Sequence, residues 1–170
     1  MKTNFLATFM IVVGASILVA TSLVYLYKNF RSPQVLTESD YSDPNSTSPV
    51  KIVINDVGIN VPVKVARNYQ FSDNEAIFIR STQNIGTGNS VIYAHNWDGL
   101  FGRLQKVKIG DNIAVHLANG KKVNYQISQI HTVPAETVNI LKATPDSRLT
   151  LFTCTGFFDK DRLVVVAREI

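Results

Sequence analysis

The chain has 170 residues, of which 17 are basic and 13 acidic, giving a formal net charge of +4. This length fits one domain with residues to spare, and the basic residues are scattered rather than clustered, which argues against nucleic-acid binding. A single cysteine excludes an intrachain disulfide and a cysteine-rich zinc site. The thiol can then be a buried core group, an intermolecular link or a nucleophile.

The first predicted element is a helix, because residues 5–27 carry no charge. A helix of that length would extend about 34 Å, enough to cross a bilayer core of about 30 Å. A cleaved signal peptide is the alternative, but its apolar region usually covers only about 7–15 residues. We therefore predict a single transmembrane anchor within residues 1–30. Basic groups flank both ends, Lys2 on one side and Lys28 and Arg31 on the other, so charge does not decide the orientation.

Residues 31–50 are rich in Ser, Thr, Pro and Asp and show no apolar periodicity. This composition is typical of a solvated, flexible linker. Because the composition changes at Lys51, we predict one folded domain over residues 51–170.

The folded domain is predicted to be all-β, because apolar and β-branched residues alternate or run over strand length throughout it. The clearest hairpin surrounds Asn119-Gly120, a pair that favours a tight turn. The strands are expected within residues 50–65 (two strands), 75–81, 89–95, 111–130 (two strands), 148–154 and 161–169. Seven or eight strands of this kind form a closed barrel or a sandwich, and we favour the barrel. Short helical turns are expected near residues 99–107 and 135–143.

Three histidines could act together with the lone cysteine, Cys154. His95 ends an apolar strand and precedes a turn, the kind of position from which a β scaffold presents catalytic groups. His116 alternates with apolar residues and is predicted to face solvent, and His131 is predicted to lie at a strand end. His95 is therefore the candidate. Asp98 could orient it, although capping of the turn is the simpler role.

Cys154 and Arg162 flank a predicted hairpin loop at residues 155–161, which would bring Arg162 beside the thiol in the partner strand. Two functions need such a pair. A cation near a thiol favours the nucleophilic thiolate, and a guanidinium can donate hydrogen bonds to the oxyanion of an acyl transfer. With His95 as general acid and base, the three residues would form an acyl-transfer site. A structural cysteine beside a surface charge is the alternative.

The segment that ends in Cys154 resembles the signature of the sortases, the membrane-anchored cysteine transpeptidases of Gram-positive-type bacteria. Residues 150–154 match the family's Thr-Leu-x-Thr-Cys motif position by position. Residues 89–95 are similar to the family's histidine strand, and Arg162 stands where the family's arginine opens the last strand. The resemblance covers the predicted domain, residues 51–170.

This resemblance implies an eight-stranded β-barrel and a cysteine transpeptidase. Such an enzyme would cut a Leu-Pro-x-Thr-Gly-like sorting signal of exported proteins between Thr and Gly through a Cys154 thioester. His95 would protonate the leaving amine, and Arg162 would hold the substrate and the oxyanion. The acyl group would pass to an amine of a peptidoglycan precursor or of a pilin, with peptide hydrolysis as a side activity. The resemblance also implies a single-pass cell-membrane protein with a cytoplasmic N-terminus and an extracellular catalytic domain.

Two further residues are candidates for substrate contact, Thr153 by the resemblance and Trp97 as an aromatic side chain close to His95. Alternation along the strand places Thr153 on the face opposite Cys154. The acidic residues form no cluster that indicates calcium, so we expect no metal and no cofactor.

The chain departs from the family pattern at two places. The residues after His95 are Asn, Trp and Asp, where many members have a small residue or Arg, and the Asp-Pro at residues 43–44 lacks the following aromatic of a pilin-type lid. Wall anchoring is therefore favoured over pilus assembly. The alternative function is a non-catalytic or degenerate membrane-anchored extracellular β-domain. A papain-like peptidase is disfavoured, because the order along the chain is His, Cys, Arg and the cysteine ends a strand.

Overall fold

The N-terminal element is a helix, α1, at Thr3–Phe30, so the helix predicted for this segment is confirmed. The computed structural model describes residues 3–30, 47–66, 71–80 and 82–170, with the side chains of α1 described at 9–22. Among these residues, no helix combines the length and the apolarity needed to cross a membrane. The chain divides into two compact units, within Met1–Asp40 and within Tyr41–Ile170. Most of the predicted linker lies outside the described residues.

The second unit is a closed barrel, and the described residues from 47 onward contribute eight strands to it. The strands are β1 (Pro49–Ile54), β2 (Ile59–Ala66), β3 (Ala76–Ile79), β4 (Asn89–Tyr93), β5 (Asn112–Leu117), β6 (Lys122–Pro134), β7 (Arg148–Thr155) and β8 (Asp161–Glu169). Around the barrel their order is β1-β2-β3-β4-β7-β8-β6-β5, and β5 pairs with β1 to close it. The predicted barrel is therefore confirmed and the sandwich is excluded.

Short 3₁₀ turns and tight hairpins join the strands. The turns lie at Asn55–Val57, Gly102–Lys106, Val138–Leu141 and Phe157–Asp159, and the second and third fall where helical turns are predicted. Gly120, with a φ of 79°, supplies the left-handed residue of the predicted β5–β6 hairpin. A residue with a Cβ would be strained there, which explains why an Asn-Gly pair marks this turn.

Alternation along each strand divides the apolar side chains between two layers. In β7, Leu149 and Leu151 are fully buried and belong to the large core cluster inside the barrel. Phe152 belongs instead to a second buried cluster, which includes Tyr93 and Val164. A closed barrel of this size fills its interior with one face of every strand, so the second cluster lies on the other face of β4, β7 and β8. The candidate site lies at one end of this outer cluster.

One strand differs from its prediction in length. β6 continues to Pro134 and pairs with β8 along that extension, so His131 lies within the strand, opposite Val164, rather than at its end. Polar residues and a proline after Ile130 mimic a strand end in the sequence. The strand tolerates them because Pro134 occupies its last position, and Val133 packs against the outer cluster.

Parallel pairing between β4 and β7 has the largest consequence for the site. The two strands pair from Asn89 opposite Arg148 to Tyr93 opposite Phe152. Parallel strands end at the same edge of a sheet, so the segments that follow Tyr93 and Phe152 emerge side by side. β8 runs antiparallel to β7 and begins at this same edge.

Candidate active site

The three candidate residues come from three neighbouring strands of the barrel. His95 follows β4, Cys154 lies in β7, and Arg162 lies directly opposite Cys154 in β8. The hairpin predicted from the sequence therefore brings Arg162 beside the thiol, as expected. Parallel pairing of β4 with β7 brings His95 to the same edge. The structure thus assembles all three residues in one region, and their catalytic roles stay predictions.

Two side-chain hydrogen bonds tie the segment around His95 to β7. The Thr153 hydroxyl donates to the carbonyl oxygen of Ala94 at 2.9 Å, and the Asn96 side-chain amide donates to the carbonyl oxygen of Cys154 at 3.0 Å. These bonds hold the residues on both sides of His95. Thr153 is 1% exposed and faces the barrel interior, so its geometry suits the support of this segment. Its contact with substrate stays a prediction, and Asn96 is a residue that the sequence did not single out.

The half-buried Cys154 thiol is in an environment that favours its neutral form. Burial raises the pKa of the thiol, the Arg162 cation lowers it, and the Asp159 carboxylate raises it, with burial as the largest of the three effects. The pKa therefore lies above the ordinary value of a cysteine. Desolvation disfavours the thiolate, which is the form that carries charge. The burial of the thiol therefore favours the neutral form over the thiolate.

We expect the alkylation rate of Cys154 by iodoacetamide to rise with pH through a midpoint above that of free cysteine. Arg162→Gln should move this midpoint further up, because it removes a cation that stabilises the thiolate. Asp159→Asn should move it down, because it removes a neighbouring negative charge. Mass spectrometry of the alkylated protein at a series of pH values measures all three midpoints. A wild-type midpoint below that of free cysteine would contradict the conclusion that burial raises the pKa of the thiol more than Arg162 lowers it.

The Arg162 guanidinium is anchored by the loop between β7 and β8. Its Nη1 donates to the carbonyl oxygens of Asp159 and Asp161, both at 2.9 Å. The loop is tightly wound, since Phe158 and Asp159 have positive φ values of 55° and 56°, which non-glycine residues rarely adopt. Within the described part of the chain, Nε and Nη2 have no hydrogen-bond acceptor. The loop therefore fixes the direction of the guanidinium beside Cys154.

Two aromatic rings stack on the His95 imidazole. Trp97 stacks on one face with ring centroids 4.1 Å apart and an interplanar angle of 3°. Phe71 stacks on it as well, at 4.4 Å and 29°. Phe71 was not predicted as a site residue, because it lies in a polar segment without apolar periodicity and nothing in its local pattern indicates a partner. Trp97 is 50% exposed, and the Phe157 and Phe158 rings of the β7–β8 loop are more exposed still.

The Asp98 carboxylate pairs with Arg103, whereas a catalytic role would need it to orient His95. Its Oδ1 accepts a hydrogen bond from Nε of Arg103 at 2.9 Å. The hydrogen bond and the charge of Arg103 hold the pKa of this carboxyl below its ordinary value. Of the two roles considered for Asp98, the structure favours support of the loop over orientation of His95.

The other two histidines lie on strands away from the thiol. His116 is half-buried on β5, with Val115 facing the core, which agrees with the predicted alternation. In the strand order around the barrel, β5 lies four positions from β4, on the opposite side. His131 lies on β6 and is exposed. The structure therefore leaves His95 as the histidine beside Cys154.

Known proteins share both this sequence pattern and this fold. The family profile described as Sortase domain matches residues 52–170. Sortase A of Listeria monocytogenes is 31% identical over 99 residues, a stretch that covers 56% of this chain and 44% of that protein. The chain therefore matches less than half of the length of this relative.

Solved structures agree with the barrel. The crystal structure of sortase A from Listeria monocytogenes aligns with a TM-score of 0.64 and 29% identity, covering 72% of this chain and 87% of that one. Sortase C from Clostridium perfringens SM101 aligns with a TM-score of 0.62 over 71% of this chain and 68% of that one, and at 24% identity it supports the fold alone. The family profile covers more than half of the chain and includes all three candidate residues. The chain belongs to the sortase family.

Proposed function

We propose that this protein is a cysteine transpeptidase that cleaves a Leu-Pro-x-Thr-Gly-like sorting signal between Thr and Gly and joins the new carboxyl end to an amine. The observation that carries this proposal is the register that sets Arg162 opposite Cys154, at the barrel edge where β4 delivers His95. Membership in the sortase family supports the reaction class. The acceptor would be an amine of a peptidoglycan precursor, or of a pilin.

Acylation would begin from the neutral thiol. The His95 imidazole takes the Cys154 proton, and the sulfur attacks the carbonyl carbon of the substrate Thr to form a C–S bond. The resulting oxyanion collapses as the C–N bond to Gly breaks, and the imidazolium gives its proton to the leaving amine. The product is a thioester on Cys154.

Deacylation would run the same steps in reverse with a different amine. The acceptor nitrogen attacks the thioester carbonyl and loses a proton to His95, and the C–S bond breaks. The sulfur leaves and recovers its proton, so one amide is exchanged for another without any redox change. Attack by water instead of an amine would give hydrolysis as the side activity.

Arg162 would stabilise the charge that develops on the substrate oxygen. Its Nη1 is engaged with the two loop carbonyls, which leaves Nε and Nη2 to donate to an oxyanion beside Cys154. Donors that are already oriented need no rearrangement when the charge forms, and this is the source of their catalytic effect. The contact with substrate predicted for Trp97, which is half-exposed beside His95, would require Trp97→Ala to raise KM, and an unchanged KM would exclude it.

We further propose that α1 attaches the protein to the cell membrane, with residues 51–170 as an extracellular catalytic domain and residues 31–50 as a linker. The support for this proposal is the uncharged run over residues 5–27. An extracellular domain would meet exported substrates and cell-wall amines on the same side of the membrane.

One preparation tests both proposals. Full-length protein is reconstituted into liposomes and incubated with a pool of Leu-Pro-x-Thr-Gly peptides and triglycine, with a Leu-Pro-x-Gly-Thr pool as the control. Mass spectrometry should find triglycine joined after Thr only with the first pool, and the protein should stay with the vesicles after an alkaline carbonate wash. Absence of joined product from folded protein would favour the non-catalytic β-domain. Release by the wash would overturn the anchor.

A further inference from the structure

The His95 imidazole lies in a sandwich of aromatic rings, which we call the aromatic clamp and define as Phe71 and Trp97. The Trp97 ring is within 3° of parallel to the imidazole, and the Phe71 ring is within 29°. The centroid distances of 4.1 Å and 4.4 Å are those of rings in contact. Two rings stacked on the same face at these distances would overlap each other, so they lie on opposite faces of the imidazole, and the two nitrogens on its edge are not covered by either ring.

The Trp97 side of the clamp is held by the backbone of its own loop. The Trp97 carbonyl oxygen accepts hydrogen bonds from the N–H groups of Leu100 and Gly102, at 3.0 and 2.9 Å, and the His95 carbonyl accepts one from Phe101 at 3.0 Å. A Cβ at Gly102 would approach the Trp97 carbonyl to 2.7 Å, so this close turn depends on glycine. Residues 95 and 97 therefore sit on one tightly folded loop.

The Phe71 side of the clamp is held by buried rings of the outer cluster. Phe71 meets Tyr93 edge to face, with centroids 5.1 Å apart, and Tyr93 stacks on Phe152 at 5.1 Å. Tyr93 and Phe152 are at most 2% exposed. Phe152 precedes Cys154 by two residues on the same face of β7. A continuous row of rings thus connects the His95 imidazole to the strand that carries the thiol.

We propose that Phe71 and Trp97 are positioning residues that fix the plane of the His95 imidazole. The terminal torsion of a histidine side chain has broad, shallow minima, so an unsupported ring would sample many orientations. Between two rings it can move only within its plane, and its nitrogens stay directed at the groups beside its edge. This inference rests on the proposed role of His95 as general acid and base, and it assigns a function to Phe71, which no motif marks.

Loss of either clamp ring should lower kcat, because the imidazole would no longer be held in one plane. Misplacing a catalytic group by about 1 Å can cost about 100-fold in rate. We therefore expect Trp97→Ala and Phe71→Ala each to lower kcat by roughly 10- to 100-fold while KM stays within about twofold, since the clamp acts through His95. Trp97→Phe and Phe71→Tyr keep a ring at each place and should recover most of the activity.

A comparison of two substrates tests whether Phe71 and Trp97 act by positioning His95. The first is the sorting-signal peptide, and the second is its analogue with a thioester in place of the Thr–Gly amide. A thiolate leaves without a proton from His95, so release of the leaving group in a single turnover should suffer less from Trp97→Ala and Phe71→Ala with the thioester than with the amide. The full-length protein is used throughout, and thermal unfolding of each variant confirms the fold. Ile109→Ala, which removes an exposed apolar side chain far along the chain from the clamp, is the control and should match wild type.

The outcomes are distinct. A raised KM with unchanged kcat would show that the rings bind substrate and would overturn the positioning role. No loss on either substrate, or a larger loss on the thioester than on the amide, would overturn it as well, because His95 takes the thiol proton with both substrates but protonates a leaving group only with the amide. Wild-type protein that acts on neither substrate would overturn the proposed function, and the clamp's role would fall with it.

Discussion

Cys154→Ala is expected to abolish both the thioester intermediate and the joined product. Alanine has no sulfur with which to form the C–S bond, so we expect turnover to fall by at least about 1,000-fold. Cys154→Ser is the matched variant, since it keeps the size of the side chain but replaces the thiol with a far weaker acid. Trapping of the acyl-enzyme, followed by intact-protein mass spectrometry, measures the first effect, and product formation measures the second.

The fold should survive both substitutions at position 154. Cys154 is only half-buried, and the core of the barrel lies on the other face of β7. The melting temperature should therefore stay within about 3 °C of wild type. Joined product at more than about one-hundredth of the wild-type rate from folded Cys154→Ala protein would rule out a Cys154 thioester.

His95→Gln is expected to lower kcat/KM by roughly 100- to 10,000-fold, the range that general acid and base catalysis contributes. Glutamine can still fill part of the space between the clamp rings, but it cannot carry a proton between the thiol and the amine. The measurement is steady-state peptide joining, supplemented by single-turnover release of the leaving group.

His116 provides a matched control for His95. It is half-buried on β5, across the barrel from β4, so His116→Gln should leave kcat/KM within about twofold of wild type. A His95→Gln variant within about fivefold of wild type would contradict the acid and base role. An equally inactive His116→Gln variant would point to a shared loss of stability instead.

Local patterns in the sequence were sufficient for most of the strands. β5 and β6 follow from alternation on both sides of Asn119-Gly120, and β7 and β8 follow from two apolar runs around a short loop. The same local hairpin predicts that Arg162 returns beside Cys154. Such features involve residues a few positions apart, whose conformations depend mainly on their own backbone preferences and on their neighbours. The extension of β6 through His131 was missed, because its polar residues are paired with β8 rather than marked by apolar periodicity.

The meeting of His95 with Cys154 required more than local pattern. These residues are far apart in the sequence, and their proximity depends on parallel pairing of β4 with β7, which no hairpin specifies. From the sequence alone, the position of His95 at a strand end, the chemistry of a thiol and an imidazole, and the resemblance to a family connected them, but no local pattern did. The hydrogen bonds from Thr153 to Ala94 and from Asn96 to Cys154 then hold the two strand ends together.

The sequence by itself determined the uncharged N-terminal helix, the all-β character of the domain, and the pairing of its lone thiol with an arginine, because each depends on residues close together in the chain. Only the tertiary structure decided that Asp98 pairs with Arg103 and that Phe71 covers His95. Contacts between distant segments depend on how the whole barrel closes. The polar segment that contains Phe71 shows no apolar periodicity, so the sequence does not indicate which ring Phe71 contacts.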